Sequence, residues 1–405
     1  MLKHLNNQIK LLICSYNYKK KLQQLHKNKN KKIRVLFYVC ENSKWCYQSL
    51  YEALDREDNF EPLVVVSLLD GVHKGKDKTR NNIDENYNFF KSRGMNVEYA
   101  YKDYKYVDLK SFKPDIVFYE QPWWLPKCNR PLEVSKYALT MYCSYGFSMY
   151  DLRTDYTENF HKLLFKFFTD SDVNTHRFES YKKGNSNNCV TVGYLKLDIY
   201  SKDVEKFAKS VWKNPNLVKI IYAPHHSFDV NGLNTATFRQ NGKFILNLAK
   251  SMPNTTWVFK PHPQFKYALL KNNIMTEEEI DNYYKQWNEI GIIYDKGGYF
   301  DIFKTSDLMI TDCCSFLGEY FPTGKPIIRL TKKDSKPLNQ YGQMLVNGYY
   351  NVYENDEIEK ILNDLIFNNN DYKHVYRENI IQKSFKPNIS LLILKDIIKT
   401  LQNNE

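Results

Sequence analysis

The chain has 405 residues, of which 42% are hydrophobic and 26% charged, and it carries a net charge of +12. That length suits two domains with cores of their own, and the composition is that of a soluble globular protein that needs no disulfide staples. The charge is not spread over the body: residues 1–34 hold ten of the 58 Lys and Arg and no acid, leaving 48 basic against 46 acidic residues elsewhere, which removes the main support for nucleic acid as a partner.

Residues 1–32 read as a unit of their own. Leu5, Ile9, Leu12 and Tyr16 fall on one helical face, and Lys19–Lys21, Lys27, Lys29, Lys31 and Lys32 follow as a basic cluster. An amphipathic helix beside a polybasic run suits an anionic membrane surface, where each Lys contributes about 1 kcal/mol. A leading helix packed on the first domain, followed by a solvated linker, gives the same pattern. No apolar run approaches the roughly 20 residues that span a bilayer, and none near the N-terminus has the length of a signal peptide core. The eight cysteines show no C-x-x-C spacing, and Cys313 and Cys314 are adjacent on an expected turn. The expectation is a reduced, cytoplasmic protein, peripheral on the inner face of the membrane.

The first domain, 33–205, opens with a strand at Ile33–Val39. A helix at Trp45–Leu54, a strand at Leu63–Leu68, a helix around Glu85–Arg93 and strands near Val97–Ala100 and Asp115–Tyr119 follow. Ala138–Tyr142, Lys166–Thr169 and Asn188–Val192 read as further strands. The second domain, 206–375, has strands at Lys219–Tyr222, Thr256–Phe259, Ile292–Tyr294, Leu308–Thr311 and Pro326–Arg329. Helices at Phe238–Lys250, Glu277–Trp287 and Asp301–Thr305 lie between them, and Asp356–Phe367 is helical. A last segment, 376–405, carries a helix at Ile389–Leu401 that packs outside or crosses back to the first domain. Alternation of this kind predicts an α/β protein with two doubly wound domains facing one another across a cleft.

Three strand ends carry polar chemistry: Ile220–His226 (IIYAPHH), Trp257–Pro263 (WVFKPHP) and Ser306–Ile328 (SDLMITDCCSFLGEYFPTGKPII). In open parallel sheets ligands bind beyond the carboxyl ends of strands, so the coincidence predicts one site. In the third segment a strand, a polar turn and a helix start form a phosphate cradle, with outward backbone N–H groups and the Ser315 hydroxyl. His262, fixed between prolines with Lys260 two residues before it, suits donation to a phosphate oxygen. Thr311 adds a hydroxyl; Asp312 accepts from a ribose or holds the turn, and Glu319, on the helix face of Ser315, reaches a ribose or stays an exposed surface acid. His225 and His226 point in different directions, so that one faces the cleft. No metal-ligand spacing is present, and neither metal nor cofactor is expected.

In the first domain Glu120 ends the DIVFY strand beside Trp123 and Trp124. Desolvation there suits a proton acceptor, or the residue is an ion-pair partner. Tyr145 and Gly146 follow another strand on the acceptor side. Walker A, dinucleotide-binding, serine-hydrolase and kinase signatures are absent.

Over roughly residues 110–330 the chain resembles the CDP-glycerol glycerophosphotransferase family of teichoic acid and capsule biosynthesis. The matching pieces are Gly193-Tyr194-Leu195-Lys196-Leu197-Asp198, IIYAPHHSF at 220–228, KPHP at 260–263 and the stretch 306–328. The resemblance implies two Rossmann-like domains of the glycosyltransferase B type with the donor nucleotide on the C-terminal one. It implies that His262 and Ser315 contact the donor pyrophosphate and that Thr311, Asp312 and Glu319 lie around the nucleotide. Two motifs depart from the family: Ser144-Tyr145-Gly146-Phe147 replaces Trp-His-Gly-Thr, and Ala223-Pro224-His225-His226-Ser227 replaces Ala-Pro-Thr-Trp/Tyr-Arg.

The expected activity is therefore metal-free transfer of glycerol phosphate, or a related polyol phosphate, from a CDP-activated donor to a cell-surface or capsular glycan or lipid-linked polymer. Glu120, His225 and His226 are the catalytic candidates. Two alternatives stay open: a nucleotide-sugar glycosyltransferase of the same fold in capsule or lipooligosaccharide synthesis, and a non-catalytic scaffold of that fold.

Overall fold

The computed structural model describes residues 2–28, 31–71, 83–151, 159–181, 188–201, 211–230, 232–295 and 298–402. Lys29 and the boundary expected at 205/206 lie outside them. The chain divides into two compact units, Met1–Gly146 with Leu152–Asp198 and Lys386–Glu405, and Phe147–Asp151 with Ile199–Phe385.

Unit 1 is built on β1 (Ile33–Val39), β2 (Phe60–Val66), β3 (Val97–Tyr99), a small hairpin of β4 (Tyr101–Lys102) and β5 (Lys105–Tyr106), then β6 (Ile116–Tyr119), β7 (Leu139–Cys143), β8 (Lys166–Thr169) and β9 (Cys189–Thr191). The hairpin apart, these form one sheet in the order β3-β2-β1-β6-β7-β8-β9, paired parallel throughout. IRVLFYV and IVFY are apolar on both faces, as a strand covered on both sides requires, and β6 and β7 are buried along their whole length.

Unit 2 carries β10 (Val218–Ala223), β11 (Thr255–Phe259), β12 (Gly291–Ile293), β13 (Leu308–Thr311), β14 (Ile327–Leu330) and β15 (Tyr350–Val352) in the order β12-β11-β10-β13-β14-β15, again all parallel. Both units thus have the doubly wound order. The core of unit 2 is aromatic: Trp287, on the helix Glu277–Ile290, stacks on Phe259 of β11 at 5.0 Å and 8°.

The first helix, α1 (Leu2–Lys27), runs unbroken through Lys19–Lys21, the start of the basic cluster. One face packs on unit 1. Tyr18 hydrogen-bonds Thr140 and donates to the Leu163 carbonyl at 2.7 Å, Asn17 donates to Ser135 at 3.0 Å, and Lys21 pairs with the buried Asp115 at 2.8 Å. Burial alone would raise the Asp115 pKa, but bonds from Lys21 and the Arg34 N–H hold it below the usual range. The other face is bare: Leu5, Ile9, Leu12, Ile13 and Tyr16 are 58%, 48%, 70%, 42% and 69% exposed.

The last helix, Ile389–Gln402, belongs to unit 1. Its first N–H groups are capped by a residue far away in sequence: Asp198 accepts from Ile389 N at 2.6 Å and Ser390 N at 2.7 Å. Gly193 sits at φ +113°, and a Cβ there would lie 3.0 Å from Ile389 Cδ1. The Gly193–Asp198 motif is thus built to seat this helix. Asp198→Ala is expected to cost about 2 kcal/mol, as the loss of a good N-cap does, read as a lower urea midpoint; Asp198→Asn, which keeps one acceptor oxygen, should cost less.

Candidate functional site

In unit 2 the strand order reverses between β10 and β13, the place where an open parallel sheet leaves a crevice at its carboxyl edge. The register pairs Tyr222 with Phe259 and Ala223 with Thr311, so the ends of β11, β10 and β13 are neighbours. The segments KPHP, APHH and TDCCS that follow them therefore come together.

Two residues expected around the nucleotide are consumed in holding this edge. The Asp312 carboxylate accepts from His225 N at 2.6 Å, Thr237 N at 2.7 Å and Thr237 Oγ1 at 2.8 Å. Thr237 is the residue from which the helix Phe238–Ser251 starts, so one buried side chain ties β13, the β10 loop and a helix start together. Burial lifts Asp312 to about 6, with the Thr237 and His225 N–H bonds opposing the rise. The Thr311 hydroxyl donates to the Ala223 carbonyl at 2.7 Å and accepts from Cys313 N at 2.9 Å. Both are positioning residues, because their polar atoms are spent inside the protein.

The histidines behave otherwise. The ring centroids of His226 and His262 lie 3.8 Å apart and stacked, and His225 sits 4.4 Å from His226 and 5.2 Å from His262. His225 is buried and its Nδ1 contacts Thr235 Oγ1 at 3.3 Å; His226 and His262 are partly exposed. Burial first, then the neighbouring rings and Lys260, pushes His262 well below its ordinary value. All three offer ring nitrogens within 4.8 Å of one another, a grouping that sequence spacing could not show because the third comes from another strand end. The donor set nevertheless suits an anion better than a cation. Gln264 N donates to His262 Nδ1 at 3.1 Å, so the neutral ring carries its proton on Nε2, a hydrogen-bond donor and not a lone pair for a metal.

Lys260 is 5% exposed, with its ammonium 5.7 Å from the Tyr299 ring and 5.9 Å from Phe316. Desolvation lowers its pKa, against the pull of Cys313, Asp295 and Glu319. The Ser315 hydroxyl is partly exposed and makes no hydrogen bond among the described residues. The helix that carries it, Cys314–Tyr320, is seven residues long and starts from Cys313 without a side-chain cap. Glu319 is neither at the surface nor open to a ribose: it is fully buried and accepts a hydrogen bond from Tyr299.

In unit 1 Glu120 is also sealed. It is 1% exposed; Oε2 accepts from Cys40 N and Glu41 N, both at 2.9 Å, and Oε1 is buried with no partner among the described residues. Burial raises it to about 8, against those bonds and the charges of Lys44 and Lys196. Around it, Lys44 donates to Gln121 Oε1 at 2.5 Å and lies 5.5 Å from the Tyr145 ring. Trp123 meets Tyr145 edge-on at 5.9 Å, and the Tyr145 carbonyl accepts from Tyr194 at 2.7 Å. Gly146 has open space where a Cβ would be. Sequence reasoning missed Thr235, Thr237, Tyr299 and Lys44, which no motif marks.

No family model and no curated protein matches the chain. Solved structures do. The UDP-GlcNAc 2-epimerase of Neisseria meningitidis bound to UDP-GlcNAc is 15% identical with a TM-score of 0.62, covering 91% of this chain and all of that one. The wall teichoic acid polymerase TagF is 14% identical with a TM-score of 0.62, over 98% of this chain and 99% of that one. A glycosyltransferase from Rickettsia africae is 12% identical with a TM-score of 0.52, over 92% and 100%. At such identities the likeness shows the fold: two parallel-sheet, Rossmann-like α/β domains of the glycosyltransferase B type, as the resemblance implied.

Burial, with a smaller contribution from His226, holds His225 at about 3. The unfolded ring, near 6.5, takes up a proton first as pH falls. Its contribution to stability is therefore complete above about pH 6.5 and is lost toward pH 3, by about 1.4 kcal/mol per pH unit. Urea midpoints measured from pH 7 to pH 4 should fall less steeply for His225→Asn than for the wild type, whereas parallel curves would contradict the buried neutral ring.

Proposed function

We propose that the chain transfers glycerol phosphate, or a related polyol phosphate, from a CDP-activated donor to a cell-surface or capsular glycan or lipid-linked polymer. The observation that carries this reading is the convergence of KPHP, APHH and TDCCS at one sheet edge, with an Nε2–H donor on His262, the buried Lys260 ammonium and the Ser315 hydroxyl. Burial disfavours the charged forms of His225, His262 and Lys260, and an anion at this edge would favour them, which suits a pyrophosphate. Likeness to TagF, one variant of which was soaked with CDPG, supports the choice of donor.

In this scheme an acceptor hydroxyl attacks the phosphorus of the transferred group, that phosphorus loses its bond to the bridging oxygen, and CMP leaves. His262 and Lys260 neutralise the charge that grows on the departing phosphate, and Ser315 orients it. The hydroxyl proton goes to a neutral imidazole. His226 is the more accessible of the adjacent pair, and Glu120, at 1% exposure, serves less well. His225, through Asp312, fixes the position of His226.

His262→Ala should lower kcat about a hundredfold or more with the fold intact, measured as nucleotide release from CDP-glycerol with cell membranes as acceptor source. CMP release from CDP-glycerol or CDP-ribitol supports the proposal. UDP or GDP release from nucleotide sugars supports the rival glycosyltransferase, which the replaced Trp-His-Gly-Thr motif and the epimerase bound to UDP-GlcNAc both favour. No release from any donor removes both and leaves the scaffold, for which His262→Ala would still complement surface polymer synthesis.

The same reading places the protein on the inner face of an anionic membrane through α1. Among the described residues no helix is long and apolar enough to cross a bilayer. The bare stripe from Leu5 to Tyr16 lies within a segment of basic and neutral residues only, the complement of an anionic lipid surface. Because the other face of α1 anchors unit 1, the test is substitution and not truncation. Leu12→Glu should abolish flotation with phosphatidylglycerol-containing vesicles without changing the melting temperature; flotation equal to that of the wild type would end the membrane assignment.

A further inference from the structure

The segment that leads from β10 to the helix Phe238–Ser251 is pinned on both sides of Thr235. Asn234 donates to Asp334 Oδ2 at 3.0 Å and accepts from Lys332 Nζ at 2.7 Å. Ala236 N donates to the Ser227 carbonyl at 3.1 Å, and Thr237 is held by Asp312. Asn234 stands at φ +50°, a conformation that asparagine tolerates better than most residues. Thr235, fixed between these anchors, is buried, and its hydroxyl meets the site described above.

That hydroxyl faces two groups, His225 Nδ1 at 3.3 Å and Cys314 Sγ at 3.8 Å. It has one proton to give, and the two compete for it unequally. An imidazole nitrogen is a good acceptor and a sulfur a weak one, whereas a thiol can donate. Burial first keeps Cys314 a thiol, raised to about 11. The favoured order therefore runs from Cys314 S–H to the Thr235 oxygen and from Thr235 O–H to His225 Nδ1. A neutral ring carries one proton, so with Nδ1 accepting, the proton of His225 stands on Nε2.

This Nε2 has no hydrogen-bond partner among the described residues, yet it is not one of the enclosed polar atoms. A ring that is only 6% exposed thus keeps its one side-chain donor uncovered. A donor so placed is a reason to look for an acceptor outside the chain.

The neighbouring rings say which acceptor. His225, His226 and His262 each bring a nitrogen within 4.8 Å of the other two. His262 also has its proton on Nε2, because Gln264 N donates to its Nδ1. Two separate devices, a threonine hydroxyl after β10 and a backbone N–H after β11, give the same tautomer to rings whose centroids are 5.2 Å apart. Donors fixed to different strand ends approach from different directions. A tetrahedral phosphate presents oxygens to both, a planar carboxylate presents them in one plane, and a metal ion needs lone pairs where these rings carry protons.

We infer that His225 is a second phosphate-binding residue, its Nε2–H acting with that of His262 on a diphosphate, and that Thr235 is the positioning residue that sets its tautomer. This deepens the transferase reading and rests on it only for assigning the diphosphate to the donor nucleotide.

Calorimetric titration of the full chain with inorganic pyrophosphate tests it, at about pH 7.5, where an ordinary imidazole is already neutral. Glutamine sets its amide NH2 where the imidazole has Nε2, and asparagine where it has Nδ1, so His225→Gln keeps the donor and His225→Asn removes it. Affinity should fall about tenfold in His225→Asn and by no more than about threefold in His225→Gln. Thr235→Val should weaken binding about threefold or more and Thr235→Ser restore it. The nitrogen-15 spectrum of the His225 ring should show Nε2–H in the wild type and a mixture of tautomers in Thr235→Val. The assignment is overturned if the wild type does not bind pyrophosphate, if the Asn and Gln variants bind alike, or if the wild-type ring carries its proton on Nδ1, which would leave Nε2 a base or a metal ligand. The expected binding pattern without nucleotide release from any donor refutes the transferase and keeps the His225 assignment; turnover with an unchanged donor KM in His225→Asn does the reverse.

Discussion

The Asp312 carboxylate is the constraint on which the candidate site depends. It sits where the strand order of unit 2 reverses, and its three accepted hydrogen bonds lock the loop after β10, the end of β13 and the start of the helix Phe238–Ser251 into one frame. Removing it would leave two buried backbone N–H groups without acceptors, at about 1–3 kcal/mol each. Without that frame His225 and His226 would ride on a loose loop, and looseness is what a site that works by positioning can least tolerate. The elevated value of about 6 shows how strongly burial opposes the charge that does the holding.

Two kinds of histidine environment follow from that frame. His225 is an interior residue that braces its neighbour, whereas His262 takes a backbone N–H at Nδ1 and thereby keeps Nε2 as a donor. Proline on either side of His262 and the pairing of β11 with β10 settle where that donor stands. Lys260 adds charge from below a lid of Tyr299 and Phe316, and the buried Glu319 balances part of it.

Much of this was legible in the sequence, and the failures have physical reasons. Ile33–Val39, Lys166–Thr169 and Leu308–Thr311 were readable to the residue because parallel strands buried on both faces are plain apolar runs. β15 went unseen because its apolar positions are interrupted by Asn351, whose side chain pairs with Arg329. The helix His374–Ser384 went unseen because the residue it buries is Arg377, a charged group that patterning assigns to the surface; its guanidinium is instead held by the Gly324 and Gly348 carbonyls and by Asp371. The strand ends singled out in the sequence are the ones the sheet register makes neighbours, but the partners of their polar side chains come from elsewhere in the chain. Whether Thr311 or Asp312 meets a ligand or the protein itself is decided by Ala223, Thr237 and His225, and no local spacing encodes those partners.

The account stands on His262 as a pre-set N–H donor to a phosphate, and the ring nitrogens report that directly. Nitrogen-15 NMR of the histidine side chains, with and without CDP-glycerol, should show His262 neutral with its proton on Nε2 in the free protein, and a downfield move of that N–H when the nucleotide is added. A His262 ring protonated on Nδ1, or one whose nitrogens do not respond to the nucleotide at saturation, would contradict it.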